Sequence, residues 1–141
     1  MDEVTAFTKE MRKRYPIDRD RLYLTGLSMG GSGTWKMLLA HPGMFAAAVP
    51  ICGRADTNAL AQLPPDKLEK LKRVPIHIFH GAKDPTVPVK YSEEMAAALK
   101  ARGANVQLTV YPEAVHDSWT QTYDNPELYT WLLSLNRKTN K

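Results

Sequence analysis

A single cysteine, Cys52, is the whole thiol content of this 141-residue sequence, so no internal disulfide is open to it. Its four histidines are scattered, and no Cys/His group has the spacing of a metal-ligand set. The expectation is a protein with no metal and no cofactor. No apolar run approaches the roughly 18 residues of a membrane span. The opening stretch MDEVTAFTKEMRKRYP is charged and amphipathic where a secretory leader would be apolar. A cytoplasmic address without membrane partners is therefore expected, unless a missing N-terminal portion carried a leader. Aromatic residues are also few, at 9%, and the basic stretch Lys9 to Arg21, where six of thirteen residues are Lys or Arg, holds a single one, Tyr15, and so lacks the aromatic interleaving of single-strand binders. Val4, Phe7 and Met11 place that stretch on the solvated face of an amphipathic helix, which argues against a nucleic-acid partner despite the net charge of +4.

What is present suits one globular domain: 43% hydrophobic residues, no repeat, no low-complexity segment and no linker. A first helix ends before Pro16, because the residue ahead of a proline is pushed out of helical conformation. Leu22 to Thr25 reads as a strand. A second helix carries Trp35, Leu38 and Leu39 on one face and closes near His41-Pro42-Gly43. Phe45 to Cys52 is apolar without alternation, as a parallel strand covered on both faces is. Arg54 to Arg73, broken by Pro64-Pro65, has room for one or two short helices only. Pro75 to His80 is a third strand, Ser92 is an N-cap candidate for a helix ending before Gly103, and Val106 to Tyr111 alternates as a fourth strand. A last helix begins at Asn125-Pro126 and gives way to a frayed basic tail. Strands alternating with helices imply a three-layer α/β domain around a parallel sheet of about four strands, with any site just beyond the strands' carboxyl ends.

Ser28 meets that condition. It lies in Gly26-Leu27-Ser28-Met29-Gly30, between a strand and a helix, where small residues let a sharp turn close and the helix N-terminus directs backbone N–H groups at the serine oxygen. The Met29 amide is the candidate oxyanion donor. A serine hydroxyl needs a histidine base and a carboxylate to orient it. His116, in the loop after the last strand, is the first candidate for the base. Of the others, His80 is the best rival for that role and otherwise a structural hydrogen-bonder near the site, His41 a helix cap and His77 a strand residue. Asp84, in the turn after the third strand, is the candidate carboxylate, with Asp56 and Asp117 in reserve. Cys52 reads as a small buried hydrophobe and not as a nucleophile. Leu27 and Trp119 are candidate pocket residues, Trp119 being equally suited to core packing.

Three blocks carry a family resemblance: Gly26 to Trp35, His80 to Pro88, and Tyr111-Pro112 to His116-Asp117-Ser118-Trp119. In order and spacing they resemble the serine esterases and predicted peptidases related to feruloyl esterases, polyhydroxybutyrate depolymerases and prolyl oligopeptidases. The resemblance implies a truncated α/β-hydrolase fold corresponding to the family's C-terminal half, and the chain order Ser28, Asp84, His116 is that of its triad. It further implies a serine carboxylesterase acting on small short-chain or activated esters, the second oxyanion amide lying in the missing half. The alternative is a non-catalytic binding or assembly module. The strand before Ser28 would then be a sheet edge, and natural proteins cover such edges, so a homo-oligomer, with a dimer favoured, is expected.

Overall fold

In the computed structural model, which describes residues 2–140, four strands form one parallel sheet in the order β1-β2-β3-β4. They are β1 (Tyr23–Leu27), β2 (Ala47–Ile51), β3 (Ile76–Gly81) and β4 (Val106–Tyr111). The helices are α1 (Asp2–Arg14), α2 (Met29–Ala40), α3 (Thr57–Ala61), α4 (Pro65–Lys72), α5 (Lys90–Ala101), α6 (Trp119–Tyr123) and α7 (Pro126–Leu133), with one 3₁₀ turn at Pro42–Met44. No helix among the described residues is long and apolar enough to cross a membrane.

Each inner strand sends alternate side chains into two different cores, which is the physical meaning of its unbroken apolar sequence. Ala48, Ile76 and Ile78 join Trp35, Leu38, Leu71, Met95 and Leu99 of the helices α2, α4 and α5 in the larger core. Val49, Ile51 and Phe79 face the other way, onto Leu128 of α7 and the partly buried Trp119, Tyr123 and Trp131. The layering is thus helix, sheet, helix, and all five residues of β2 are buried. Pro50 lies inside this central strand, where a proline is unusual because it has no N–H to donate. The β2–β3 pairing accordingly skips from Ala48↔Ile76 to Ile51↔Phe79.

Three sequence readings need correction. Strand β1 runs from Tyr23 to Leu27 and not from Leu22 to Thr25, so Ser28 follows it directly. Ser92 does not cap α5, which starts earlier at Lys90. Its hydroxyl is drawn into the interior by the Nδ1 of buried His80, 2.7 Å away. The basic tail is not frayed through its described length. Arg137 reaches the Gly43 carbonyl at 2.7 Å and Asp20 at 2.9 Å, and the Asn140 side-chain amide donates to Ala46 O at 2.7 Å.

Strand β1 is an edge. The Leu22 carbonyl accepts from Ala46 N, and Ser28 N donates to Ile51 O, so the even-numbered residues turn their backbone groups toward β2. By alternation, the N–H and C=O groups of Tyr23, Thr25 and Leu27 face the open side.

Candidate active site

Ser28, Asp84 and His116 each follow a different strand (β1, β3 and β4), and the fold brings them into one line. The Ser28 hydroxyl lies 2.8 Å from His116 Nε2, and His116 Nδ1 lies 2.7 Å from Asp84 Oδ2. With Nδ1–H donating to the carboxylate, Nε2 is left as the acceptor that faces the serine.

Ser28 holds φ 52°, ψ −115° directly before α2. A non-glycine residue there costs on the order of 1–3 kcal/mol, and such strain persists only where the surroundings enforce it. Here Ser28 N is fixed to Ile51 O, and Ser28 O accepts from Ser32 N. The turn requires Gly26, since a Cβ there would stand 2.4 Å from Gly30 O. Gly30 itself, paired with Gly26 in the sequence reading, has open space around its missing Cβ. The tight packing falls instead on Gly31, whose Cβ would meet Ile51 O at 2.4 Å. Met29, the first residue of α2, has an amide with no acceptor inside the helix, as first-turn N–H groups do not, and a side chain 87% exposed beside Ser28.

Asp84 is buried, and burial by itself pushes its carboxyl upward. Hydrogen bonds from His116, Val87 N and Thr86 N outweigh that and hold it below the usual carboxylate range. His80, wholly buried, packs against the same carboxylate, with Nε2 3.2 Å from Asp84 Oδ2 and 2.8 Å from Val87 O. It braces the Asp84 turn, as expected of a structural histidine. The reserve carboxylates lie elsewhere: Asp56 accepts from Asn58 N and Ala59 N at the start of α3, and Asp117 accepts from Thr120. Trp119 stands edge-on to His116, with ring centroids 5.4 Å apart, and packs with the partly buried Leu27 on the smaller core.

Cys52 is the neighbour that sequence reasoning missed. It directly follows β2 with φ 40°, is fully buried, and its Sγ, one Asp84 oxygen and one His116 ring nitrogen all lie within 4.8 Å of one another. Because 32 residues separate each from the next, no spacing motif reveals the cluster. Burial pushes the Cys52 thiol up, which keeps it protonated at neutral pH and unsuited to be the nucleophile.

A hollow of about 510 Å³ that includes Ser32, Lys36, Arg54 and Tyr91 opens beside α2, one helical turn from Ser28. The Arg54 guanidinium lies over the Tyr91 ring, 4.9 Å from its centroid. An equally large hollow near Arg12 and His41 is at the far end of α2, away from the serine.

Gly81 supports the histidine loop from below. A Cβ on it would stand 2.1 Å from Val115 O and 2.5 Å from Ala114 O, both backbone atoms, so the loop would have to rise. Gly81→Ala is expected to lower about 100-fold any turnover that depends on the Ser28–His116 pair, the cost of misplacing such a group by roughly 1 Å. Parallel kinetics and circular dichroism would check this: activity should fall while the far-ultraviolet spectrum stays that of the parent.

Residues 1–130 match the dienelactone hydrolase family. A putative carboxymethylenebutenolidase of Methylorubrum extorquens is 33% identical over 82% of this chain, which spans 39% of that protein. The crystal structure of a thermostable esterase superposes with a TM-score of 0.83 at 37% identity, covering 95% of this chain and 36% of that one. Arabidopsis thaliana SOBER1 shares the fold at a TM-score of 0.75 and 21% identity, over 94% of this chain and 61% of its own. The chain thus spans about two fifths of the curated relative's length. Of the resemblance drawn from the motifs, these matches bear out the truncated α/β-hydrolase fold and the likeness to esterase-type hydrolases but do not single out the feruloyl esterase, depolymerase and oligopeptidase group, and by its match over nearly the whole sequence the chain belongs to the dienelactone hydrolase family.

Proposed function

We propose that this protein is a serine carboxylesterase that hydrolyses short-chain or activated carboxylic esters through Ser28, His116 and Asp84. The observation that carries the reading is the continuous hydrogen-bonded line from the Ser28 hydroxyl to the Asp84 carboxylate, at 2.8 and 2.7 Å, starting from a strained strand-to-helix turn. In this mechanism His116 Nε2 takes the Ser28 proton as the oxygen attacks the ester carbonyl. The oxyanion forms against the Met29 N–H at the positive end of α2, and the alcohol leaves with the proton from His116. Water, deprotonated by the same imidazole, then releases the acid and frees Ser28.

Activated esters are favoured over amides because, among the described residues, the oxyanion donor we assign is the single amide of Met29. Loss of one such donor costs about 2.7–4 kcal/mol, which a good leaving group offsets. Unsaturated lactones, the substrate type in the name of the Methylorubrum relative, belong in the same class and are the first substrates to try. The Ser32–Arg54–Tyr91 hollow is the space we assign to the substrate's larger portion, with Leu27 and Trp119 at the other flank.

A fluorophosphonate probe distinguishes this reading from a non-catalytic module, because it phosphonylates only an activated serine. The parent protein should be labelled stoichiometrically and Ser28→Ala not at all. A folded parent protein that resists labelling would overturn the proposal.

A further inference from the structure

The thiol beneath the triad has no part in the mechanism above, yet it is held against two of its members. Cys52 Sγ, an Asp84 oxygen and a His116 ring nitrogen lie within 4.8 Å of one another, and the Cys52 and Asp84 side chains are shielded from solvent. A fourth polar group sits in the same pocket. Ser118 Oγ is fully buried without a hydrogen-bond partner and lies close enough to Cys52 to act on its thiol.

We infer that Cys52, Asp84 and His116 form an inhibitory site for a thiophilic divalent cation such as Zn²⁺ or Cd²⁺, with Ser118 Oγ beside it. One thiolate, one imidazole and one carboxylate are the donor set that selects these ions over Mg²⁺ and Ca²⁺. Zinc bonds of about 2.3 Å to sulfur and 2.0–2.2 Å to nitrogen and oxygen place tetrahedral ligands about 3.5 Å apart, so a separation of 4.8 Å closes by roughly 1.3 Å, while His116 Nδ1 and Asp84 Oδ2, 2.7 Å apart, open by somewhat less when Nδ1 is the ligand. The ion replaces the Cys52 thiol proton, which passes to solvent.

Inhibition follows from the imidazole's two nitrogens. An ion on Nδ1 takes the place of the imidazole's single N–H proton, which moves from Nδ1 to Nε2, so the lone pair facing Ser28 is gone. An ion on Nε2 consumes that lone pair directly. Either way Ser28 loses its base. Because Cys52 is fully buried and the His116 side chain only 22% exposed, the ion enters past His116, and inhibition should set in slowly.

The loss of activity rests on the proposed esterase reading; the binding does not. Two readouts therefore serve. Zn²⁺ should inhibit ester hydrolysis progressively, EDTA should restore it, and millimolar Mg²⁺ should do nothing. Cys52→Ala and the isosteric Cys52→Ser should retain basal turnover and need at least roughly 10-fold more Zn²⁺, the loss that removal of an outer-shell partner alone causes. Separately, Cd²⁺ added to Ser28→Ala should raise a thiolate-to-metal charge-transfer band that Cys52→Ala lacks, whether or not the parent is an esterase. Absence of that band would overturn the site, as would equal Zn²⁺ inhibition of the parent and both Cys52 variants. A band with no inhibition of a working esterase would overturn the inhibitory role.

Discussion

Replacing Ser28 by alanine is expected to lower turnover of a short-chain aryl ester by at least about 10⁴-fold while leaving the fold intact. The hydroxyl bonds to His116 Nε2 and is not part of either apolar core, so its removal leaves no cavity among packed side chains. The turn is held by other means, namely the Ser28 N to Ile51 O and Ser32 N to Ser28 O bonds and the close approach of Gly26 and Gly31, all of which alanine keeps. His116→Ala should cost about as much, and the double variant no more than either, because members of such a unit are grossly non-additive. Steady-state kinetics on the three proteins, with thermal melts as the control for folding, checks this. Retention of near-parental kcat by Ser28→Ala would exclude the serine mechanism.

The second large effect concerns Asp84→Asn, for which a fall in kcat of about 10⁴-fold is expected, since the amide stabilises the wrong imidazole tautomer while keeping the shape. The same change at Asp56 or Asp117 should be nearly silent in kcat, as both are spent on helix starts. Asp84→Asn also carries a signature in stability. The Asp84 carboxyl is held below its usual range by His116, Val87 N and Thr86 N against the opposing effect of burial. A depressed carboxylate contributes stability that is present above the ordinary carboxylate range and is lost as pH falls through its lowered value in the folded state. The parent should therefore lose more stability than Asp84→Asn between neutral pH and the acid side of about pH 4. Melting curves across that range measure the difference; parallel curves would show that the hydrogen bonds to Asp84 do not favour its ionised form.

Much of this was legible in the sequence, and for identifiable reasons. An apolar run without alternation marked β2 as a strand between two helical layers, and the order of strands and helices fixed a parallel sheet whose carboxyl ends hold Ser28, Asp84 and His116. Those three are readable because each lies in a local block: a glycine-flanked turn, a His-Gly-Ala-Lys-Asp turn and a loop after the last strand. The elements misread depend on contacts between distant residues. Ser92 carries the chemistry of a cap but is claimed by His80, and the tail owes its order to Asp20 and Gly43. Gly30 looks as necessary as Gly26, yet only the fold reveals that the crowding is at Gly31. Cys52 looks inert by itself, and only the packing of three loops sets it against Asp84 and His116.

The path of the histidine loop has an architectural consequence. His116 belongs to the strand at one margin of the sheet and Ser28 to the strand at the other, a separation of about 14 Å at the usual strand spacing. The segment after Tyr111 must therefore act as a bridge deck, passing first above the end of β3 and then above that of β2. At each crossing the residue below has little or no bulk: Gly81 under Ala114 and Val115, Cys52 under His116. Gly81 lies tight against the loop's backbone and sets its height, while Cys52 leaves clearance under the imidazole. Any side chain at 52 no larger than cysteine keeps the deck level. A leucine or phenylalanine there would lift it and part Ser28 from His116, so the reach of this site is limited as much by clearance under a span as by the chemistry above it.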